Sequence, residues 1–221
     1  METDTLNIET ANGPTTAYVA RPDGSNGKSV IVIQEWWGLN DHIKDIAGRW
    51  ASEGFTAVAP DLYRGQVATN PDEASKMMHA LAIEDGLDTI RNTVDAASKA
   101  LNVGHFGITG YCMGGTFALR AACEVEGFSA AAPFYGDIPE EDVLKKLRTP
   151  TIFVSGTKDA WINPEKVALL EEIAEKYELP VHSAKYEADH AFFNDTRPEV
   201  YDRTAAEDAW ALVVGFFNDK L

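Results

Sequence analysis

The stretch Gly107-Ile-Thr-Gly-Tyr-Cys-Met-Gly-Gly115, GITGYCMGG, joins two segments of different character. It continues the apolar run VGHFGITG (103–110), which reads as a strand, and leads into TFALRAACEVEG (116–127), which is Ala-rich and helical in spacing. Between them the chain turns through small residues, with Gly110 and Gly114 placed two before and two after Cys112. Glycines there let a strand and a helix approach without a clash of Cβ atoms. The stretch is therefore a strand–turn–helix unit, and the rest of the chain supplies more of the same kind.

Upstream, TLNIET (5–10) and TTAYVA (15–20) alternate in polarity and are separated by Ala-Asn-Gly-Pro, whose Asn-Gly signals a hairpin. SVIVIQEW (29–36) is a continuous β-branched run of the kind buried on both faces of a sheet. A helical stretch over 41–53 ends at Gly54, and FTAVAP (55–60) supplies the next strand. Helices are predicted over 71–82 and 84–101. Beyond the central turn come strands at FSAAAPFYG (128–136) and TPTIFVSG (149–156), and a helix at PEKVALLEEIAEKY (164–177). A strand at PVHSAKYE (180–187) and a closing helix over 199–218 complete the chain. Strands alternating with helices of this length predict an α/β fold: a mostly parallel twisted sheet with helices on both faces, in one domain spanning 1–221. No repeat, low-complexity tract or linker interrupts it.

The totals narrow the function. The 221 residues carry 35 Asp and Glu against 19 Lys and Arg, a net charge of −16. That field repels phosphate backbones and anionic membranes, so neither nucleic acid nor a membrane is an expected partner. METDTLNIET at the start has neither a basic segment nor an apolar one, and no apolar run is long enough to span a bilayer. Two cysteines, Cys112 and Cys123, exclude a disulfide framework and show no metal-ligand spacing. A soluble protein of the reducing cytoplasm is expected, and a monomer by default.

Gly110-x-Cys112-x-Gly114, after a strand and before a helix, has the setting of a nucleophile elbow, with cysteine where a serine is usual. The helix that begins behind Cys112 places partial positive charge near its sulfur, which favours thiolate, and aims the Met113 N–H where an oxyanion would form. The other reading is an inert buried thiol on a Gly-rich connection. Cys123, mid-helix in ALRAAC, reads as core. A nucleophile needs a base and an orienting acid, which in this class of fold follow in the order acid, then histidine. TIFVSGTKDAWINP places Asp159 just past a strand, and VHSAKYEADHAFFN places His190 just past the last one. Both positions lie at the carboxyl edge of the sheet, where open α/β sheets bind ligands. Asp159 could instead cap the helix near Pro164. Asp189, next to His190, would point elsewhere, and His42, His79, His105 and His182 fall within helices, at a strand start or inside a strand. By analogy with the position used in α/β-hydrolases, the second oxyanion donor is the N–H of Trp36, after SVIVIQEW. Trp36, Trp37, Trp161, Phe192 and Phe193 suggest either an apolar pocket or core.

Six segments together resemble the dienelactone hydrolases (carboxymethylenebutenolidases), cysteine members of the α/β-hydrolase superfamily. They are IVIQEWWG (31–38), GFTAVAPDLYRG (54–65), GITGYCMGG (107–115), FYG (134–136), GTKDAWINP (156–164) and YEADHAFFN (186–194), in family order. The resemblance implies an α/β-hydrolase core, no cofactor, hydrolysis of a lactone or activated ester, and a triad of Cys112, His190 and Asp159. It also places the family's glutamate at Glu35, where it switches the cysteine between resting thiol and attacking thiolate; a carboxylate there could equally only tie down loop amides. Family members acting on dienelactone hold the substrate carboxylate with two arginines, one from the region after DLY and one four residues beyond the histidine. Here residue 194 is Asn, no Arg occurs in 71–90, and the nearby basic residues are Arg64, Lys76 and Arg197.

The rival from another class is a non-catalytic protein of the same fold that binds a small ligand or senses oxidation at Cys112. A cysteine peptidase is a third reading, without a visible peptide groove.

Overall fold

The computed structural model describes residues 1–101 and 103–221. Among the described residues eight strands form one sheet: β1 (Glu2–Ile8), β2 (Thr15–Arg21), β3 (Ser29–Ile33), β4 (Thr56–Pro60), β5 (Phe106–Tyr111), β6 (Phe128–Phe134), β7 (Thr151–Gly156) and β8 (Val181–Tyr186). Their order across the sheet is β1-β2-β4-β3-β5-β6-β7-β8. The β1–β2 and β2–β4 pairs are antiparallel and all the others parallel. The helices described with them are α1 (Asp41–Ser52), α2 (Pro71–Ala80), α3 (Ile83–Leu101), α4 (Met113–Glu124), the short α5 (Glu141–Leu144), α6 (Pro164–Tyr177) and α7 (Arg203–Lys220).

The continuous apolar run of β3 is explained by two cores. Ile31 and Ile33 point into a cluster with residues of α3, α4 and α6, while Val30 and Val32 point into a second cluster with residues of α1 and α7. A strand alternates its side chains between faces, so a sheet covered on both sides needs apolar residues at every position. Among the described residues no helix is long and apolar enough to cross a membrane.

The ends of β1 and α7, and the presence of α5, depart from the sequence reading. β1 begins at Glu2 and ends at Ile8, with Ile8 opposite Thr15, so the hairpin loop is longer than an Asn-Gly turn. It is closed by the Thr10 hydroxyl, which donates to the Gly13 carbonyl at 2.6 Å. α7 starts at Arg203 rather than 199, because the Asp202 side chain accepts from the Ala205 N–H and caps it there. α5 was not expected at all; a four-residue helix carries too little periodicity to announce itself.

The strand order places the site. From β3 the chain crosses to β4 on one side, then to β5 on the other side of β3, so the connections leaving β3 and β5 diverge. A crevice opens at such a switch point, outside the carboxyl ends of the strands. Ile33 pairs with Gly110 in register, and two residues further along each strand stand Glu35 and Cys112. The topology alone thus makes these two neighbours.

Candidate active site

Cys112 sits between β5 and α4 with φ 55° and ψ −117°. This left-handed conformation is strained for any residue bearing a Cβ, and it lifts the side chain off the end of the sheet. The flanking glycines are required by contact. A Cβ on Gly110 would lie 2.1 Å from the Gly114 carbonyl oxygen, and one on Gly114 would lie 2.4 Å from the carbonyl oxygens of both Ile33 and Gln34. Because these are backbone atoms, the clash can be relieved only by moving β3 or α4. Gly114→Ala is expected to cost about 2–3 kcal/mol of folding stability in urea unfolding, with the loss of activity that follows from a displaced Cys112.

Asp159 follows β7 and His190 follows β8, and the structure brings both to Cys112. The Asp159 Oδ2 to His190 Nδ1 distance is 2.7 Å, and His190 Nε2 to Cys112 Sγ is 3.1 Å. Asp159 is buried, and its Oδ1 accepts from the N–H groups of Trp161 (2.7 Å) and Ile162 (2.9 Å). Burial works to raise its pKa, but the hydrogen bond and charge of His190, with the two backbone donors, outweigh it and hold the carboxyl below its usual value. It does not cap α6; Asn163 does, accepting from the Lys166 N–H. The remaining histidines lie elsewhere. His42 is buried in α1, 3.5 Å from Asp195, and burial pushes its pKa down to about 4. His79 bonds the Ser75 carbonyl within α2, while His105 and His182 are exposed. Cys123 packs against the core from α4. Among the described residues no group of three His, Cys, Asp or Glu side chains is arranged to hold a metal ion.

Glu35 is 2% exposed and receives one side-chain hydrogen bond, from Asn194 Nδ2 at 2.7 Å. The amide orientation of Asn194 is fixed, because its Oδ1 accepts from the Thr196 N–H (3.0 Å) and hydroxyl (2.6 Å). Burial raises the Glu35 pKa to about 7 against the pull of Asn194, His190 and Arg197. Sequence reasoning treated position 194 only as a missing arginine; the side chain that is there is the carboxylate's partner. The same burial corrects the expectation of a favoured thiolate at Cys112. The thiol is pushed up to about 12, first by burial and then by Glu35, and the Met113 N–H at the helix start does not offset them.

Glu35 also makes stability depend on pH in a defined sense. Its folded pKa, about 7, lies above the ordinary 4.5, so the folded state holds the proton more tightly. Its contribution is full below pH 4.5 and is lost as pH rises through 7, a change of about 3 kcal/mol. Glu35→Gln removes the titration. Urea unfolding should show the variant gaining on the wild-type chain above pH 7 by up to that amount, and little difference below pH 4.5.

Among the described residues the Trp36 N–H donates to no protein acceptor, and the Met113 N–H meets the Cys112 sulfur. The aromatic residues divide. Phe192 and Phe193 are buried core, whereas Trp36 and Trp37 are half-buried and Trp161 is 55% exposed. Of the basic residues, Arg64 is held by both carboxylate oxygens of Asp85 (2.6 and 3.0 Å), Arg197 is paired with Glu199 (2.8 Å), and Lys76 is exposed on α2.

Known proteins agree with this fold. A model described as the dienelactone hydrolase family matches residues 15–221. "Protein usf" of Aquifex pyrophilus is 36% identical, over 92% of this chain and 93% of its own length. A protein of Aquifex aeolicus assigned as a carboxymethylenebutenolidase is 35% identical over the same shares. The crystal structure of a Klebsiella pneumoniae protein assigned as a dienelactone hydrolase superposes with a TM-score of 0.90 at 27% identity, covering 98% of both chains. The chain has the α/β-hydrolase fold and belongs to the dienelactone hydrolase family, hydrolases of ester and lactone bonds.

Proposed function

We propose that the chain hydrolyses a lactone or activated carboxylic ester through nucleophilic attack by Cys112 and a thioester acyl-enzyme. The observation that carries this reading is the unbroken line from Asp159 through His190 to the Cys112 sulfur, with contacts of 2.7 and 3.1 Å. Asp159 keeps the proton on His190 Nδ1, which leaves Nε2 free to accept. The thiol rests protonated, so attack passes its proton to Nε2 as the sulfur bonds to the substrate carbonyl carbon. The carbonyl oxygen becomes an oxyanion facing the N–H groups of Trp36 and Met113. Collapse breaks the ester C–O bond, and His190 returns the proton to the leaving oxygen, which in a lactone stays tethered to the acyl group. Water then gives a proton to His190 and attacks the thioester, releasing the carboxylic acid and restoring the thiol.

Glu35 has a part in this cycle. Charged, it opposes a second anion on Cys112 and keeps the thiol neutral and less open to oxidation; neutral, or shifted by substrate, it lifts that opposition. A redox sensor would require an acidic, accessible thiol, and burial moves Cys112 the other way.

Iodoacetamide inactivation tests the proposal. Hydrolysis of p-nitrophenyl acetate and of a neutral lactone should fall in proportion to alkylation of Cys112 and be indifferent to alkylation of Cys123. Full activity with Cys112 alkylated would contradict it.

A further inference from the structure

The mouth of the site carries an aromatic surface that the acyl-transfer steps leave unused. Trp161 keeps 55% of its surface in solvent, although an indole is normally covered on folding. It is nevertheless fixed beside the reacting groups. Its backbone N–H is held at 2.7 Å by Asp159, the acid that orients His190, and its ring lies 5.0 Å from the His190 imidazole, tilted by 46°. Trp36 meets it edge-on at 6.0 Å, and Trp37 meets Trp36 edge-on at 5.2 Å. In the mechanism proposed above, the Trp36 N–H also receives the oxyanion. Three partly open indoles therefore form one continuous surface that reaches the His190 ring.

The charges around the same point are mostly negative, with Arg197 opposing them at both Glu35 and Cys112. Glu35 and Asp159 both act on Cys112, and Glu35 is met by the neutral amide of Asn194 rather than by a cation. Arg64 and Arg197 already have carboxylate partners in Asp85 and Glu199. A substrate carboxylate would enter a field mostly of its own sign and meet two guanidinium groups, Arg64 and Arg197, that already hold carboxylates. The net charge of −16 adds to the same opposition.

We propose that the Trp36–Trp37–Trp161 surface binds a flat, uncharged ring of the substrate, so that the enzyme selects neutral aryl lactones and aryl-bearing esters over aliphatic or carboxylate-bearing ones. This rests on the hydrolytic reading above and names its substrate class. The ring stacks on the open faces of the indoles, which orients the carbonyl toward Cys112 and covers the apolar surface that Trp161 leaves in water. Trp161 acts as a specificity residue, and Asn194 supplies the neutral partner that leaves the site without a carboxylate clamp.

Three lactones test it in the full-length protein: dihydrocoumarin, δ-valerolactone and 6-carboxydihydrocoumarin, with each kcat/KM divided by the compound's rate constant with hydroxide. That division removes the better leaving group of a phenol. Dihydrocoumarin should exceed each of the other two by about tenfold or more, a discrimination within reach of apolar contact and like-charge repulsion. Trp161→Ala should lower the ratio of dihydrocoumarin to δ-valerolactone by about tenfold, mainly through KM, and Trp161→Phe should restore most of it. Turnover with equal ratios, or with the carboxylated lactone preferred, overturns this inference and leaves the hydrolase intact. No turnover of any of the three overturns both.

Discussion

Cys112→Ala is expected to lower kcat/KM for p-nitrophenyl acetate by about 10⁴-fold or more while leaving the chain folded. The magnitude follows from the division of labour at the site. Without the sulfur, the Trp36 and Met113 N–H groups can still stabilise an oxyanion, but no covalent intermediate forms and His190 has only water to activate. The fold should tolerate the change, because alanine occupies the strained backbone at φ 55° with no larger side chain than cysteine and leaves Gly110 and Gly114 in contact as before. Circular dichroism and urea unfolding separate the loss of chemistry from a loss of structure. Cys123→Ala provides the contrast, with kcat/KM expected within about twofold of the wild-type value, because Cys123 packs against the core from α4.

Asp159→Asn should cost about 10³- to 10⁴-fold in kcat, although the two side chains have the same shape. The reason lies in how the carboxylate is held. Asp159 Oδ1 accepts from the N–H groups of Trp161 and Ile162, so in the asparagine variant the amide oxygen is driven into that position. The amide NH2 then occupies the place of Oδ2, 2.7 Å from His190 Nδ1, where it donates rather than accepts. His190 is forced into the tautomer with its proton on Nε2, facing the Cys112 sulfur, and can no longer take the thiol proton. Nitrogen-15 chemical shifts of the imidazole should report this exchange of tautomers, and kcat should fall with little change in KM.

Much of this was legible in the sequence, and the reasons are physical. The elbow could be read because a strand-to-helix turn with Cβ-free contacts permits almost nothing but glycine, and the structure finds backbone atoms of Ile33, Gln34 and Gly114 where those side chains would be. Asp159 and His190 could be read because each follows a predicted strand, and a parallel sheet delivers all such loops to one edge. Burial and side-chain pairing were not legible. The helix start behind Cys112 argued for a thiolate, but the desolvation that overrides it depends on how tightly the surrounding loops close. At position 194 the sequence shows only an asparagine where arginine-bearing relatives would hold a carboxylate, and gives no sign of its partner. That it meets Glu35 depends on the 191–202 loop folding back over the end of β3, a contact between residues 159 apart in sequence. The five candidate aromatics could not be sorted either, since Phe192 and Trp161 are alike in composition and differ only in which side of their loops faces water.

The central claim is that Cys112 carries the acyl group. Acid quenching during p-nitrophenyl acetate turnover, followed by trypsin digestion and mass spectrometry, tests it directly, because cleavage after Lys99 and Arg120 separates Cys112 from Cys123. The account predicts an acetyl group on the 100–120 peptide, localised to Cys112, that appears within the first turnover and disappears as substrate is exhausted. An acetyl group on any other residue that forms and decays at the rate of turnover, with Cys112 unmodified throughout, would contradict it.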